Sequence, residues 1–265
     1  LGQNDYARRR SLEGNTRMFR KVNAVYFSPT GNSKKTAITM AEAIGEEVET
    51  IDVTVMPSYA EFGEDDFVVF AAPVYAGRIP NVAKERFEKF RGSNTPCIII
   101  ATYGNREFDD ALLEMADMFS GRGFVIKGAA GLIGRHTYGE IQVDRPNEED
   151  LVQCRTFAAQ AVANDKAWPE FEIPGNRPYR DGMTKGSHHP TVNESCIKCG
   201  LCVRACPVGA IDEDCETVSD LCISCFRCIR NCPVGAKEII TEAYLKFAAD
   251  FTEKLKERKE NKFFL

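Results

Sequence analysis

Apolar and polar positions follow two distinct periods along residues 21–167. Continuous apolar runs at 22–28, 66–72, 97–102 and 124–133 suit strands buried on both faces, and a weaker run at 47–53 alternates polar with apolar. Between these runs the period lengthens to that of helices. Ala37, Ile38, Ala41 and Ile44 share one face, and Val82, Phe87 and Phe90 a second. Ala111, Leu112, Met115, Met118 and Phe119 share a third, and Leu151, Phe157, Ala158 and Ala161 a fourth. The acidic stretch 147–150 favours a helix N-terminus just before the last of them. Strand and helix in alternation predict an α/β unit, a parallel sheet with helices on both faces.

The pattern then breaks. Residues 168–190 hold Pro169, Pro174, Pro178 and Pro190 with three glycines, the composition of a linker. Residues 191–240 are cysteine-rich and internally repeated. Shifting 196–210 by 26 positions lays it on 222–236 with ten of fifteen residues identical, which predicts two related half-modules about a pseudo-twofold axis. Residues 241–265 open with the helical stripe Tyr244, Phe247, Phe251 and Leu255, continuing one that begins at Ile240, and predict an amphipathic helix docked on the body.

Of eleven cysteines, nine lie between Cys196 and Cys232. No secretory leader is expected, and a large apolar-rich segment precedes them, so metal ligation is a better reading than disulfides. Their spacing is Cys196-x2-Cys199-x2-Cys202-x3-Cys206-Pro207, repeated as Cys222-x2-Cys225-x2-Cys228-x3-Cys232-Pro233. Three closely spaced thiolates on a tight loop reach three irons of a cubane, and the fourth iron takes a ligand from elsewhere. One [4Fe–4S] cluster is therefore expected on Cys196, Cys199, Cys202 and Cys232, and a second on Cys222, Cys225, Cys228 and Cys206. Zinc prefers paired knuckles with four ligands per ion and fits a duplicated run of three poorly. Cys215 falls outside both runs and is expected to be an unliganded thiol; Cys97 and Cys154 read as buried structural thiols. The segment resembles bacterial two-cluster ferredoxins in all eight ligands and both prolines, which implies a small α+β fold.

After the first strand comes Ser28-Pro29-Thr30-Gly31-Asn32-Ser33, then a helical period. A loop between a parallel strand and a helix aims backbone N–H groups at one point, Gly31 permits close approach, and Ser28, Thr30 and Ser33 add hydroxyls. This is an anion loop suited to a phosphate, without the Gly-Lys-Ser/Thr of a Walker loop. It resembles the phosphate loop of flavodoxins, and two further loops match in order: Pro73-Val74-Tyr75-Ala76-Gly77-Arg78 and Thr102-Tyr103-Gly104-Asn105-Arg106. The resemblance implies a flavodoxin-like, doubly wound five-stranded sheet of order 2-1-3-4-5 with FMN at the switch point. Tyr75 and Tyr103 become candidates to stack on the ring, and Gly77 and Gly104 let the backbone approach its edge. His136 reads as a loop histidine outside the site.

As a whole the chain resembles flavodoxin–ferredoxin fusion proteins, found mainly in anaerobes. That resemblance implies a flavoprotein that relays electrons between FMN and two [4Fe–4S] clusters and passes them to a redox protein partner. The alternative is a flavin-dependent reductase of a small-molecule acceptor that uses the clusters as a wire; the carrier reading is preferred. Net charge is −5 and hydrophobic content 43%, which suits a folded protein without a nucleic-acid footprint. No apolar run is long enough to span a bilayer, and a cytoplasmic location is expected. Residues 1–20 read as a tag remnant or disordered arm, with Met18 as the native start.

Overall fold

A computed structural model describes residues 19–265. The expected arm therefore lies outside the described residues, apart from Phe19 and Arg20, which open the first strand. Phe19 packs on Phe67 with ring centroids 4.9 Å apart.

Five principal strands form the sheet: β1 (Phe19–Tyr26), β2 (Gly45–Asp52), β4 (Phe67–Pro73), β6 (Thr95–Tyr103) and β7 (Phe124–Ile133). They run parallel in the order β2-β1-β4-β6-β7, the doubly wound arrangement the sequence predicts. A sixth strand, β10 (Lys262–Phe264), adds antiparallel to the edge of β7, so the terminal Phe263-Phe264 pair belongs to the sheet. A separate short parallel pair joins β3 (Ala60–Phe62) to β5 (Phe90–Gly92). Phe90 thus lies on a strand beyond the second helix and not on its face.

Because side chains alternate along a strand, β4 divides its apolar residues. Val68 and Phe70 face one core with α2 (Asn81–Phe87) and α3 (Ala111–Ser120). Val69 and Ala71 face another with α1 (Asn32–Ile44) and α4 (Glu148–Ala163). Asn147 caps α4 in a reciprocal capping box with Asp150, as the acidic start suggests.

Residues 168–190, the expected linker, are packed against the body rather than free. They carry no regular element, yet Phe171 and Ile173 are buried in the first core. The Asn176 N–H donates to Asp110 Oδ1 (2.8 Å), Arg177 and Tyr179 both bond Asp117, and the Arg180 N–H donates to Asp110 Oδ2 (2.7 Å). The segment is a strap fastened along α3. Proline and glycine content alone does not separate a packed strap from a free spacer.

The strap leads into the cysteine segment, whose ends are tied by β8 (Thr191–Val192) against β9 (Lys237–Glu238). Each half carries a short helix, α5 (Leu201–Ala205) or α6 (Arg227–Arg230). The chain closes with α7 (Glu242–Lys254), capped by the Thr241 hydroxyl, and a tail returning to β10. Asn105 holds this tail: its amide donates to the Leu255 and Glu257 carbonyls at 2.8 and 2.6 Å. Arg145, paired with Asp150 in the interior, donates to the Lys259 carbonyl at 2.6 Å. Among the described residues no helix is long and apolar enough to cross a membrane.

Candidate functional site

The carboxyl ends of β1, β4, β6 and β7 open into one cavity of about 310 Å³. The loop after β1 contributes Ser28, Thr30, Asn32 and Ser33, that after β4 Pro73, Val74, Tyr75, Ala76 and Gly77, and that after β6 Thr102, Tyr103, Gly104 and Arg106. Two expected residues are not in the wall. Gly31 instead provides the left-handed turn into α1 (φ 97°), a conformation that glycine adopts without strain. Asn105 is buried with its amide committed to the C-terminal tail.

The first loop is internally braced. Ser28 Oγ accepts the Lys34 N–H (3.0 Å), and the Ser33 and Thr102 hydroxyls share a hydrogen bond of 2.6 Å. The first-turn amides of α1 have no carbonyl behind them, so the loop offers donors to an anion. Arg135, just beyond β7, lines the same cavity. Its Nε is buried and finds no hydrogen-bond partner among the described residues. Its Nη2 pairs with Glu140 at 3.2 Å, and the free Nε–H beside an anion loop fits a phosphate.

The opposite wall is aromatic and comes largely from residues distant in the chain. His136, Thr137 and Tyr138 follow β7, Met183 and Ser187 come from the strap, Ser224 from the cysteine segment, and Phe247 and Phe251 from α7. His136 belongs to the site after all. Its ring meets Phe251 edge-on with centroids 5.1 Å apart, and Nδ1 accepts the Tyr138 N–H at 2.8 Å. Burial drives its pKa down to about 4, aided by the Arg106 charge. Gly104 is required there, because a Cβ would fall inside the His136 ring. Burial raises the Tyr103 hydroxyl to about 12, and that hydroxyl also lacks a partner among the described residues. Gly77, at φ 85°, is anchored by its carbonyl, which accepts the Asp110 N–H at 3.0 Å. An anion-binding wall and an aromatic wall meeting in one cavity suit a phosphorylated aromatic cofactor.

The eight paired-run cysteines gather around two small cavities of about 20 Å³ each. Cys196, Cys199, Cys202 and Cys232 line one; Cys206, Cys222, Cys225 and Cys228 line the other. Each set takes its fourth thiol from the opposite half of the repeat. No group of three or more Cys, His, Asp or Glu side chains among the described residues converges on a single-ion site; the thiols surround a void, as a polynuclear cluster requires. Backbone amides point at the remote sulfurs, Ala236 to Cys232 Sγ at 3.1 Å and Ala210 to Cys206 Sγ at 3.2 Å. Burial raises Cys225 and Cys228 to about 12. At Cys232 burial also raises the pKa, but amides of residues 234–237 outweigh it and the thiol is lowered. Cys215 is buried against the first set and lines the same cavity.

The halves sit differently on the sheet. The Arg227 guanidinium donates to the Pro29 and Ser28 carbonyls at 3.0 and 3.3 Å, and Arg86 donates to the Pro207 carbonyl at 2.6 Å. Ile223 packs on the first core, whereas its repeat equivalent Ile197 is 64% exposed. Cys206, Cys222, Cys225 and Cys228 are therefore proximal to the large cavity, and the other set is distal. The Tyr75 hydroxyl bonds Thr137 and lies within electrostatic reach of Cys225 and Cys222. The Tyr138 hydroxyl bonds Ser224.

Comparison with known proteins follows these divisions. Residues 24–101 match the flavodoxin domain family, and residues 190–212 and 222–236 match 4Fe-4S binding domain families. Among solved structures, a flavodoxin from the domain Archaea is 15% identical, with 54% of this chain and 96% of that one covered at a TM-score of 0.40. Oxidised Flavodoxin 1 from Bacillus cereus is 17% identical, covering 55% of this chain and 99% of its own at 0.41. A short-chain flavodoxin associated with a non-canonical PDU bacterial microcompartment is 17% identical, covering 56% and 100% at 0.42. A search of curated proteins returned no match. These domains imply FMN and two [4Fe–4S] clusters as cofactors and a role in electron transfer. An anion loop at the carboxyl edge of a doubly wound sheet, a flavodoxin domain match over residues 24–101 and 4Fe-4S binding domain matches over 190–212 and 222–236 together support a flavodoxin–ferredoxin fusion.

Proposed function

We propose that the chain is an internal electron relay with the order FMN, proximal cluster, distal cluster, redox partner. The observation that carries this reading is Ser224. It lies inside the proximal cysteine run and also lines the large cavity. Bound FMN supplies a two-electron couple, and each cluster carries one electron at a time.

The chain's own residues perform the positioning. Ser28, Thr30, Asn32, Ser33 and the Arg135 side chain hold the phosphate. Tyr75, Tyr103 and Gly104 frame the ring, while Pro73, Val74, Ala76, Gly77, Thr102 and Arg106 complete its pocket. Tyr75, Tyr138 and Ser224 fill the space towards Cys222 and Cys225. Phe247 and Phe251 of α7 cover the aromatic wall and limit entry of a second substrate, which favours a carrier over a reductase. The distal run reaches the surface at Cys199, which is exposed beside Ile197, and offers the exit to a redox protein.

Anaerobic stopped-flow reduction tests the relay. Flavin and cluster absorbance should exchange electrons within one protein molecule at a rate independent of protein concentration. Independent bleaching of the two chromophores would end the proposal. Turnover of a small acceptor with no protein partner present would favour the reductase.

A further inference from the structure

The repeat that builds the two cluster sites is imperfect at one telling position. Displacing Ile211 by 26 residues gives Lys237. Ile211 lines the proximal cavity beside Cys206, Cys222, Cys225 and Cys228. Lys237 lines the distal cavity beside Cys196, Cys199, Cys202 and Cys232. The two halves thus present an apolar chain to one cluster and an ammonium to the other, in equivalent places.

Lys237 is 3% exposed, and its Nζ is buried without a hydrogen-bond partner among the described residues. An ammonium removed from water and left unpaired costs several kcal/mol, about as much as a folded domain can spare. A chain keeps such a group where an anion compensates it. The eight thiols are the groups that become anionic when iron is bound, and a cubane on four thiolates is negatively charged. One further electron makes it more so.

We propose that Lys237 is the buried counter-ion of the distal cluster and sets that cluster's potential above that of the proximal one. A cation fixed beside the cavity stabilises the reduced form more than the oxidised form, because the reduced form carries one more negative charge. Ile211 gives the proximal cluster no such help. Electrons entering from the flavin side therefore move downhill to the exposed end of the relay. The charge of Lys237 reaches Cys202 of the distal set and Cys222 and Cys228 of the proximal set; the proposal assigns the larger effect to the distal cluster because the side chain lines the distal cavity and not the proximal one. The Lys237 N–H contributes to the amide set around Cys232 Sγ, a contact that a side-chain substitution leaves in place. The proposal rests on the assignment of Cys196, Cys199, Cys202 and Cys232 to one cluster.

The test is an anaerobic redox titration of the full chain followed by electron paramagnetic resonance, with iron and sulfide analysis, for the unsubstituted protein, Lys237→Met and Lys237→Arg. Methionine keeps the length and removes the charge; arginine keeps the charge. In Lys237→Met the reduced-to-oxidised ratio of the distal cluster at a fixed potential should fall at least about tenfold, which is about 59 mV for a one-electron couple. The proximal cluster should move less, and Lys237→Arg should stay near the parent. Cluster loss in the methionine variant with retention in the arginine variant supports the same conclusion, since the charge is then needed for assembly. Unchanged potentials in Lys237→Met overturn it, as do equal shifts or cluster loss in both variants, which would assign the position to packing. Absence of two clusters from the unsubstituted protein would instead overturn the ligand assignment.

Discussion

His136 gives the wall of the flavin cavity a pH-dependent stability. Its ring is enclosed by Gly104, Tyr138 and Phe251, and it titrates at about 4 in the folded chain against 6.5 when free. The unfolded chain thus takes up this proton first as the pH falls. Stability associated with His136 is complete above pH 6.5, declines through the interval, and is lost once the folded ring also protonates near pH 4. At about 1.4 kcal/mol per pH unit the full interval corresponds to about 3 kcal/mol. The ring retains some solvent contact, which trims this to about 2–3 kcal/mol. Asp110, Asp117 and Asp150 are also held below the ordinary carboxylate range, so their contribution is lost in more acidic solution, and it is common to protein and variant. The measurement is urea unfolding under anaerobic conditions at pH 7, 6, 5 and 4.5, comparing the parent with His136→Gln. The stability difference should shift by about 2 kcal/mol in the variant's favour across that range. A difference flat to within about 0.5 kcal/mol would refute the assignment of a buried neutral imidazole.

Two further outcomes test how the parts are joined. Arg227→Met removes both hydrogen bonds to the phosphate loop; bonds from a charged donor contribute about 1.5–3 kcal/mol, so amide exchange over residues 28–34 should accelerate by about tenfold or more and transfer between flavin and clusters should slow, whereas unchanged exchange would show that the contact does not hold the loop. Removing the residues after Glu238 should uncover the β7 edge and the aromatic wall and produce strong binding of a hydrophobic dye; no gain in dye fluorescence would mean that α7 and β10 do not cover this surface.

The central sheet was legible because β1, β4, β6 and β7 are largely buried and read as continuous apolar runs, while three helices between the strands and one after β7 keep a helical period. The sets of thiols that line the two small cavities have the membership that the repeated spacing predicts, three of each set being local in the chain. What stayed hidden depends on contacts between remote segments. Phe247 and Phe251 show their helical stripe in the sequence, but no periodicity names the surface that receives it. His136 and Tyr138 sit in a loop whose value comes from what folds over it. Strand β10 has three residues, too few for a pattern, and its pairing depends on Asn105, Arg145 and Asn261 holding the preceding turn. Asn105 matched a cofactor loop by position, while its amide serves the tail. The packing of the strap was hidden for a comparable reason: Phe171 and Ile173 are single apolar residues among prolines, and only the core that receives them gives them a place.

The return of the C-terminal tail to the sheet gives the molecule an order of completion. A chain emerging from the ribosome presents the phosphate loop and both ring-framing loops about 140 residues before Phe247 and Phe251 are synthesised. Cofactor capture can precede closure, and residues 262–264, which follow the cover in the chain, latch it by zipping onto the sheet margin. Conditions that unzip that margin should release flavin well before the sheet itself melts.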